Sequence, residues 1–133
     1  MKLEGGCYCG QLRYEATGEP TLKAQCHCRE CQYISGGAPN MFLLMPAHGF
    51  KYTKGAPKAF TRSDLEKPVT REFCADCGTH LVTRRPGVPP VIVKVGGQAA
   101  VPPDPRRPAS VRAVAETIRD RPGSEPVRQL ARR

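Results

Sequence analysis

Apolar and polar positions alternate over short stretches for most of this chain, with turn residues between the stretches. Leu12 and Tyr14 stand among polar neighbours and predict a half-buried strand. A turn follows at Thr17-Gly18-Glu19-Pro20, and residues 22–25 form a short extended approach to a cysteine-rich segment. Residues 41–45, Met-Phe-Leu-Leu-Met, are a continuous apolar run that stops before Pro46 and predicts a buried strand. Alternation returns at 50–53, and Gly55-Ala56-Pro57 marks the next turn. Residues 59–62, 69–73, 80–83 and 91–95 predict the remaining strands. Many short strands with turns between them define an all-β fold.

The texture changes at Gly96. A stretch reading Pro102-Pro103-Asp104-Pro105-Arg106-Arg107-Pro108 cannot be a central strand, because proline lacks the ladder donor. Val111, Val114, Ala115 and Ile118 fall at helical spacing and predict one short helix over residues 110–120, ended by Pro122-Gly123. A lone helix of that length is marginal in water. The chain therefore divides into a β domain at 1–96 and an atypical Arg/Pro-rich tail at 97–133.

Composition adds a constraint. The 133 residues include no Trp, four Phe and four Tyr, so the core has few large anchors and needs another staple. No apolar run approaches the ~20 residues that cross a bilayer, and residues 1–10 carry no hydrophobic signal segment. A cytoplasmic location is expected, where thiols stay reduced and free for metal. The formal net charge of +9 splits almost evenly. Residues 1–95 carry 13 Lys and Arg against 8 acids, and residues 96–133 carry 8 Arg against 4 acids. No aromatics interleave with the arginines of the tail, which argues against a single-strand nucleic-acid platform there. The modest positive field of the body suits a small anionic substrate.

The seven cysteines fall into groups: Cys7 and Cys9; Cys26, Cys28 and Cys31; Cys74 and Cys77. Cys-x-Cys and Cys-x-x-Cys spacings bring pairs of thiolates onto one tetrahedral ion. Cys7, Cys9, Cys74 and Cys77 make one closed four-sulfur zinc site that would clamp the start of the chain to a late knuckle. The bland alternative is that one or both pairs are ordinary free thiols. Cys26, Cys28 and Cys31 are then left over. They either close a tetrahedron with His27, His48 or His80, or hold a second zinc with one position open for a ligand. Arg29 and Glu30 between them read as a solvated loop face. Tyr33, Ser35, Gly36 and Gly37 follow, and the small residues leave room for a ligand beside the metal. An open three-thiolate zinc favours a soft fourth ligand such as a substrate thiol, and lowers its pKa. Beside an aldehyde, such a thiolate makes or breaks a carbon–sulfur bond.

The motifs Gly-Gly-Cys7-Tyr-Cys9-Gly, Cys26-His-Cys28-Arg-Glu-Cys31-Gln and Phe-Cys74-Ala-Asp-Cys77-Gly-Thr-His resemble the glutathione-dependent formaldehyde-activating enzyme family, which also includes centromere protein V. The resemblance runs from about residue 4 to Val95. It implies a zinc-stabilised β fold of the β-tent type, with a structural zinc on Cys7, Cys9, Cys74 and Cys77 and a catalytic zinc on Cys26, Cys28 and Cys31. The implied reaction condenses formaldehyde with glutathione to S-hydroxymethylglutathione, the work of a carbon–sulfur lyase, and the segment from Tyr33 to Pro39 would line the pocket. After Lys94-Val95-Gly96 the sequence departs from the Thr-Leu-Asp-Asp-Pro-like continuation of relatives, which reads as a shifted frame or a replaced end. A non-catalytic, zinc-stabilised binding module is the rival expectation.

Overall fold

The structure is a computed structural model, and it describes residues 1–97. The helix expected at 110–120 lies outside the described residues, as does the tail beyond Gly97. The strands run β1 (Lys2–Gly6), β2 (Arg13–Thr17), β3 (Leu22–Cys26), β4 (Asn40–Met45), β5 (Phe50–Lys54), β6 (Lys58–Thr61), β7 (Thr70–Phe73), β8 (His80–Arg85) and β9 (Val88–Lys94). Helix α1 (Arg29–Ser35) interrupts them between β3 and β4. One antiparallel sheet has the order β1-β2-β5 and the other the order β3-β4-β9-β8-β7-β6. The all-β reading holds. Among the described residues no helix is long and apolar enough to cross a membrane.

The apolar run of β4 is continuous because both faces of that strand are covered. Leu43 and Met45 enter the main core with Tyr14 and Ala16 of β2, Leu81 and Val82 of β8, and Val91 and Val93 of β9. Phe42 points the other way, into a second cluster with Ala24, Cys26 and Cys31. Pro89 and Pro90 fall inside β9, a central strand, yet cause no conflict. The ladder to β4 begins only at Val91, so neither proline has to donate to it.

Two elements were not expected. β1, Lys-Leu-Glu-Gly-Gly, shows no apolar alternation, and it is a strand because it pairs along its whole length with β2, from Lys2↔Thr17 to Gly6↔Arg13. Helix α1 replaces the loop expected around Arg29 and Glu30, which form its first turn. Cys28 caps it by accepting the Cys31 N–H at 3.4 Å, and Gly36 ends it with φ 74°. Both ends follow ordinary capping chemistry, with a thiol doing the work of a serine at the start.

Gly5, just before the first cysteine pair, answers to packing. A Cβ on Gly5 would lie 2.2 Å from the Gly97 carbonyl oxygen and 2.5 Å from the buried Tyr14 hydroxyl. Gly5→Ala is expected to destabilise the chain by about 1–3 kcal/mol, the usual range for forcing extra volume into a packed core. Chemical denaturation with zinc present measures it, and an unchanged midpoint would contradict the close approach.

Candidate metal centres and the adjoining cleft

Two turns carry the first cluster. After β1 the chain folds back so that the Cys7 N–H meets the Leu12 carbonyl at 3.1 Å, and the Leu12 N–H donates to Cys7 Sγ at 3.2 Å. Gly10, with φ 81°, makes that turn. After β7 the Gly78 N–H meets the Cys74 carbonyl and the Cys74 N–H the Thr79 carbonyl, each at 2.9 Å. The Tyr8 N–H donates to Thr79 Oγ1 at 3.0 Å and ties the two turns together.

The sulfurs of Cys7, Cys9, Cys74 and Cys77 all lie within 4.8 Å of one another. Cys7 and Cys9 are 3.5 Å apart at sulfur, and Cys9 and Cys74 are 3.7 Å apart. Four sulfurs at ~2.3 Å from one tetrahedral ion would stand about 3.8 Å from each other, so the set fits zinc. Protonation within the cluster is uneven. Burial pushes the Cys77 thiol up, but the Thr79 hydroxyl and N–H, the Cys9 N–H and the Cys74 thiol together bring Cys77 down to about 6. For Cys9 the Gln11 N–H pulls down, yet burial and the three neighbouring thiols raise it to about 12. Thiolates this crowded repel one another, and a shared cation removes the conflict.

The second cluster is assembled by β3 and α1. Cys26 ends the strand, Cys28 caps the helix and Cys31 lies in its first turns, and the three sulfurs are again within 4.8 Å of each other. Buried Asn40 donates to Cys31 Sγ at 3.5 Å, and Gln32 Nε2 donates to the His27 carbonyl at 2.8 Å. Burial pushes Cys31 up to about 12. It is also the largest single effect on Cys28, but there the Cys31 N–H, the neighbouring Cys26 and Cys31 thiols and the Glu30 N–H together exceed it, and the thiol ends below its ordinary value.

Among the described residues no histidine, aspartate or glutamate joins these three sulfurs. His27 and His48 are exposed, and His80 Nε2 sits 3.1 Å from the Val82 carbonyl and 3.3 Å from Thr83 Oγ1. The arrangement closed by a histidine is not formed among the described residues.

Several neighbours of this cluster were not anticipated. Lys94, 6% exposed at the end of β9, pairs across the ladder with Phe42, which packs in the buried cluster of Cys26 and Cys31, and Asn40 anchors Cys31. His80 is pushed down to about 4 by burial, with Lys94 and Arg71 adding to the effect, so it stays neutral near pH 7. The one available signal was a lone lysine inside the apolar run Val91-Ile92-Val93-Lys94-Val95.

A cleft of about 230 Å³ opens between α1 and the β6–β7 hairpin, lined by Tyr33, Ile34, Phe60, Leu65, Val69 and Arg71 among others. Arg71 in its wall pairs with Glu30 at 3.2 Å. Of the four residues expected to line a pocket, Tyr33 does so. Ser35 donates instead to the Ala38 carbonyl, and Gly36 and Gly37, with φ 74° and 103°, shape the end of the helix.

Two antiparallel sheets carrying a four-thiol and a three-thiol cluster, each able to hold a metal ion, define a small β protein. The family model for the glutathione-dependent formaldehyde-activating enzyme matches residues 2–112, and the chain belongs to that family. A crystal structure of a Rhodobacter sphaeroides protein has a similar fold, with a TM-score of 0.58 and 20% sequence identity, covering 80% of this chain and 93% of that one. At that identity the likeness speaks to fold alone. No curated protein sequence matches the chain.

Proposed function

We propose that the chain is a zinc-dependent carbon–sulfur lyase of the S-(hydroxymethyl)glutathione synthase type, acting in the cytoplasm. In this reading Cys7, Cys9, Cys74 and Cys77 hold a structural zinc, and Cys26, Cys28 and Cys31 hold a catalytic one. The observation that carries it is the three-sulfur cluster with no fourth protein ligand among the described residues, in a member of this family. Zinc there would supply a Lewis-acid position that lowers the pKa of a substrate thiol.

The reaction balances simply. The glutathione thiol gives up its proton, its sulfur forms a bond to the formaldehyde carbon, and the carbonyl π pair moves onto oxygen, which takes a proton. The chain's own residues prepare that step. Asn40 and the Cys31 N–H fix the orientation of two sulfurs, and α1 holds Cys28 and Cys31 at a constant spacing. Tyr33, on the same helix, lines the cleft beside it.

Metal analysis and zinc-edge absorption test the reading together. Two zincs per chain are expected, and glutathione should add one sulfur ligand to the average shell. One zinc per chain, or a shell that glutathione leaves unchanged, would favour a zinc-stabilised binding module instead.

A further inference from the structure

Lys94 is the last residue of β9, and it is 6% exposed. It pairs across the ladder with Phe42 of β4, and its ammonium lies 5.7 Å from the centre of that ring. Phe42 shares a buried cluster with Ala24, Cys26 and Cys31, against which Cys28 packs. The cation is thus set on the face of the six-stranded sheet that carries the three sulfurs.

Burying an ammonium is unfavourable unless a counter-charge meets it. The nearby acids are committed elsewhere: Glu30 pairs with Arg71 and Glu72 with Arg84. Among the described residues no carboxylate pairs with Lys94. A face-on aromatic ring recovers part of the lost hydration, though not a full charge. Burial pulls the ammonium down to about 8, while Cys31, and less strongly Cys26 and Cys28, pull it back up. The groups on that face of the sheet that can carry a counter-charge are the three thiols.

The charge count then distinguishes kinds of ligand. Three thiolates with a divalent ion carry one net negative charge. A neutral fourth ligand leaves that unchanged, whereas a thiolate doubles it in a site screened from water. We propose that Lys94 is the counter-cation of the Cys26–Cys28–Cys31 cluster, and that it fits the remaining position for a thiolate in preference to a neutral ligand. This deepens the proposed function and rests on it.

The test uses the full chain loaded with cobalt(II), whose sulfur-to-metal absorption reports each added thiolate. 2-Mercaptoethanol serves as the thiolate probe and imidazole as the neutral one, at one pH. Lys94→Met is expected to weaken 2-mercaptoethanol binding about tenfold or more, the size expected of one lost charge near a partly buried site. Imidazole binding should change less than about twofold by the same charge argument. Lys94→Arg should keep most of the thiolate affinity.

The cobalt spectrum of the four-cysteine centre checks that each variant folds, and Lys94→Gln replaces the methionine variant if that spectrum is lost. Equal 2-mercaptoethanol affinity in wild type and variant, or equal weakening toward both probes, overturns the role of Lys94 alone. Absence of any added band when 2-mercaptoethanol meets the wild type overturns the open-position reading and this inference with it.

Discussion

Replacing Cys74 with serine is expected to unfold the chain. Cys74 is 1% exposed, lies in the main core, and contributes one sulfur to the four-thiol cluster. Its turn joins the end of β7 to the turn after β1, and so ties the six-stranded sheet to the three-stranded one. A structural zinc in small zinc-finger peptides contributes on the order of 10 kcal/mol, whereas whole domains are stable by about 5–15 kcal/mol. A chain with no Trp and four Phe has little core to fall back on. Serine supplies no thiolate, so most of that contribution goes with the substitution. Far-ultraviolet circular dichroism through a thermal ramp is the measurement. The variant should show no cooperative transition, and the wild type treated with a strong chelator should resemble it. A cooperative melt within a few degrees of wild type would assign the stability of the fold to the core instead.

The parts of this fold legible in the sequence are those specified by local chemistry. Paired thiols at short spacing point to a shared metal whatever surrounds them, and both turns hold their cysteines as the spacing predicts. The apolar run at 41–45 lies in a strand covered on both faces, with Phe42, Leu43 and Met45 buried. What was not legible depends on partners distant in sequence. β1 has no pattern of its own and exists through its pairing with β2. Helix α1 has a single buried residue, Cys31, so no apolar period announces it. Its start is a cysteine acting as N-cap, a role in which serine is the familiar signal. Lys94 reads as a single polar residue inside the strand expected at 91–95. Only the pairing with Phe42 reveals that it shares a face with three sulfurs contributed some seventy residues earlier.

The two clusters also differ in the charge around them, and that difference supports the division of labour proposed for them. The four-thiol set is met by donors belonging to its own turns, the Leu12 N–H and Thr79. Those groups are spent on the sulfurs already present. The three-thiol set has Asn40 and one helix N–H on its sulfurs, with a buried cation besides. Positive charge in excess of what hydrogen bonding needs is what a site requires if it is to accept another anion.

Replacing Cys28 with serine separates the two clusters by function. Cys28 is half-buried at the rim of the smaller cluster, and its side chain caps α1 by accepting the Cys31 N–H. Serine is a good N-cap, so the variant keeps that hydrogen bond and the helix with it. The expected stability loss is about 1–2 kcal/mol, the ordinary range for a substitution outside the main core. Zinc content should fall from two per chain to one, since two sulfurs hold a divalent ion poorly. The glutathione-dependent consumption of formaldehyde proposed for the chain should drop by roughly a hundredfold or more. Residues that merely orient a metal ligand already cost 10–100-fold when lost, and Cys28 would be a ligand itself. Thermal melting, metal analysis and disappearance of formaldehyde in the presence of glutathione, all on one preparation, measure the three effects. If Cys28→Ser unfolds the chain as fully as Cys74→Ser, both clusters are structural. If it loses one zinc and keeps the consumption of formaldehyde, the chemistry lies away from the three sulfurs, and the cleft beside α1 becomes the place to look for it.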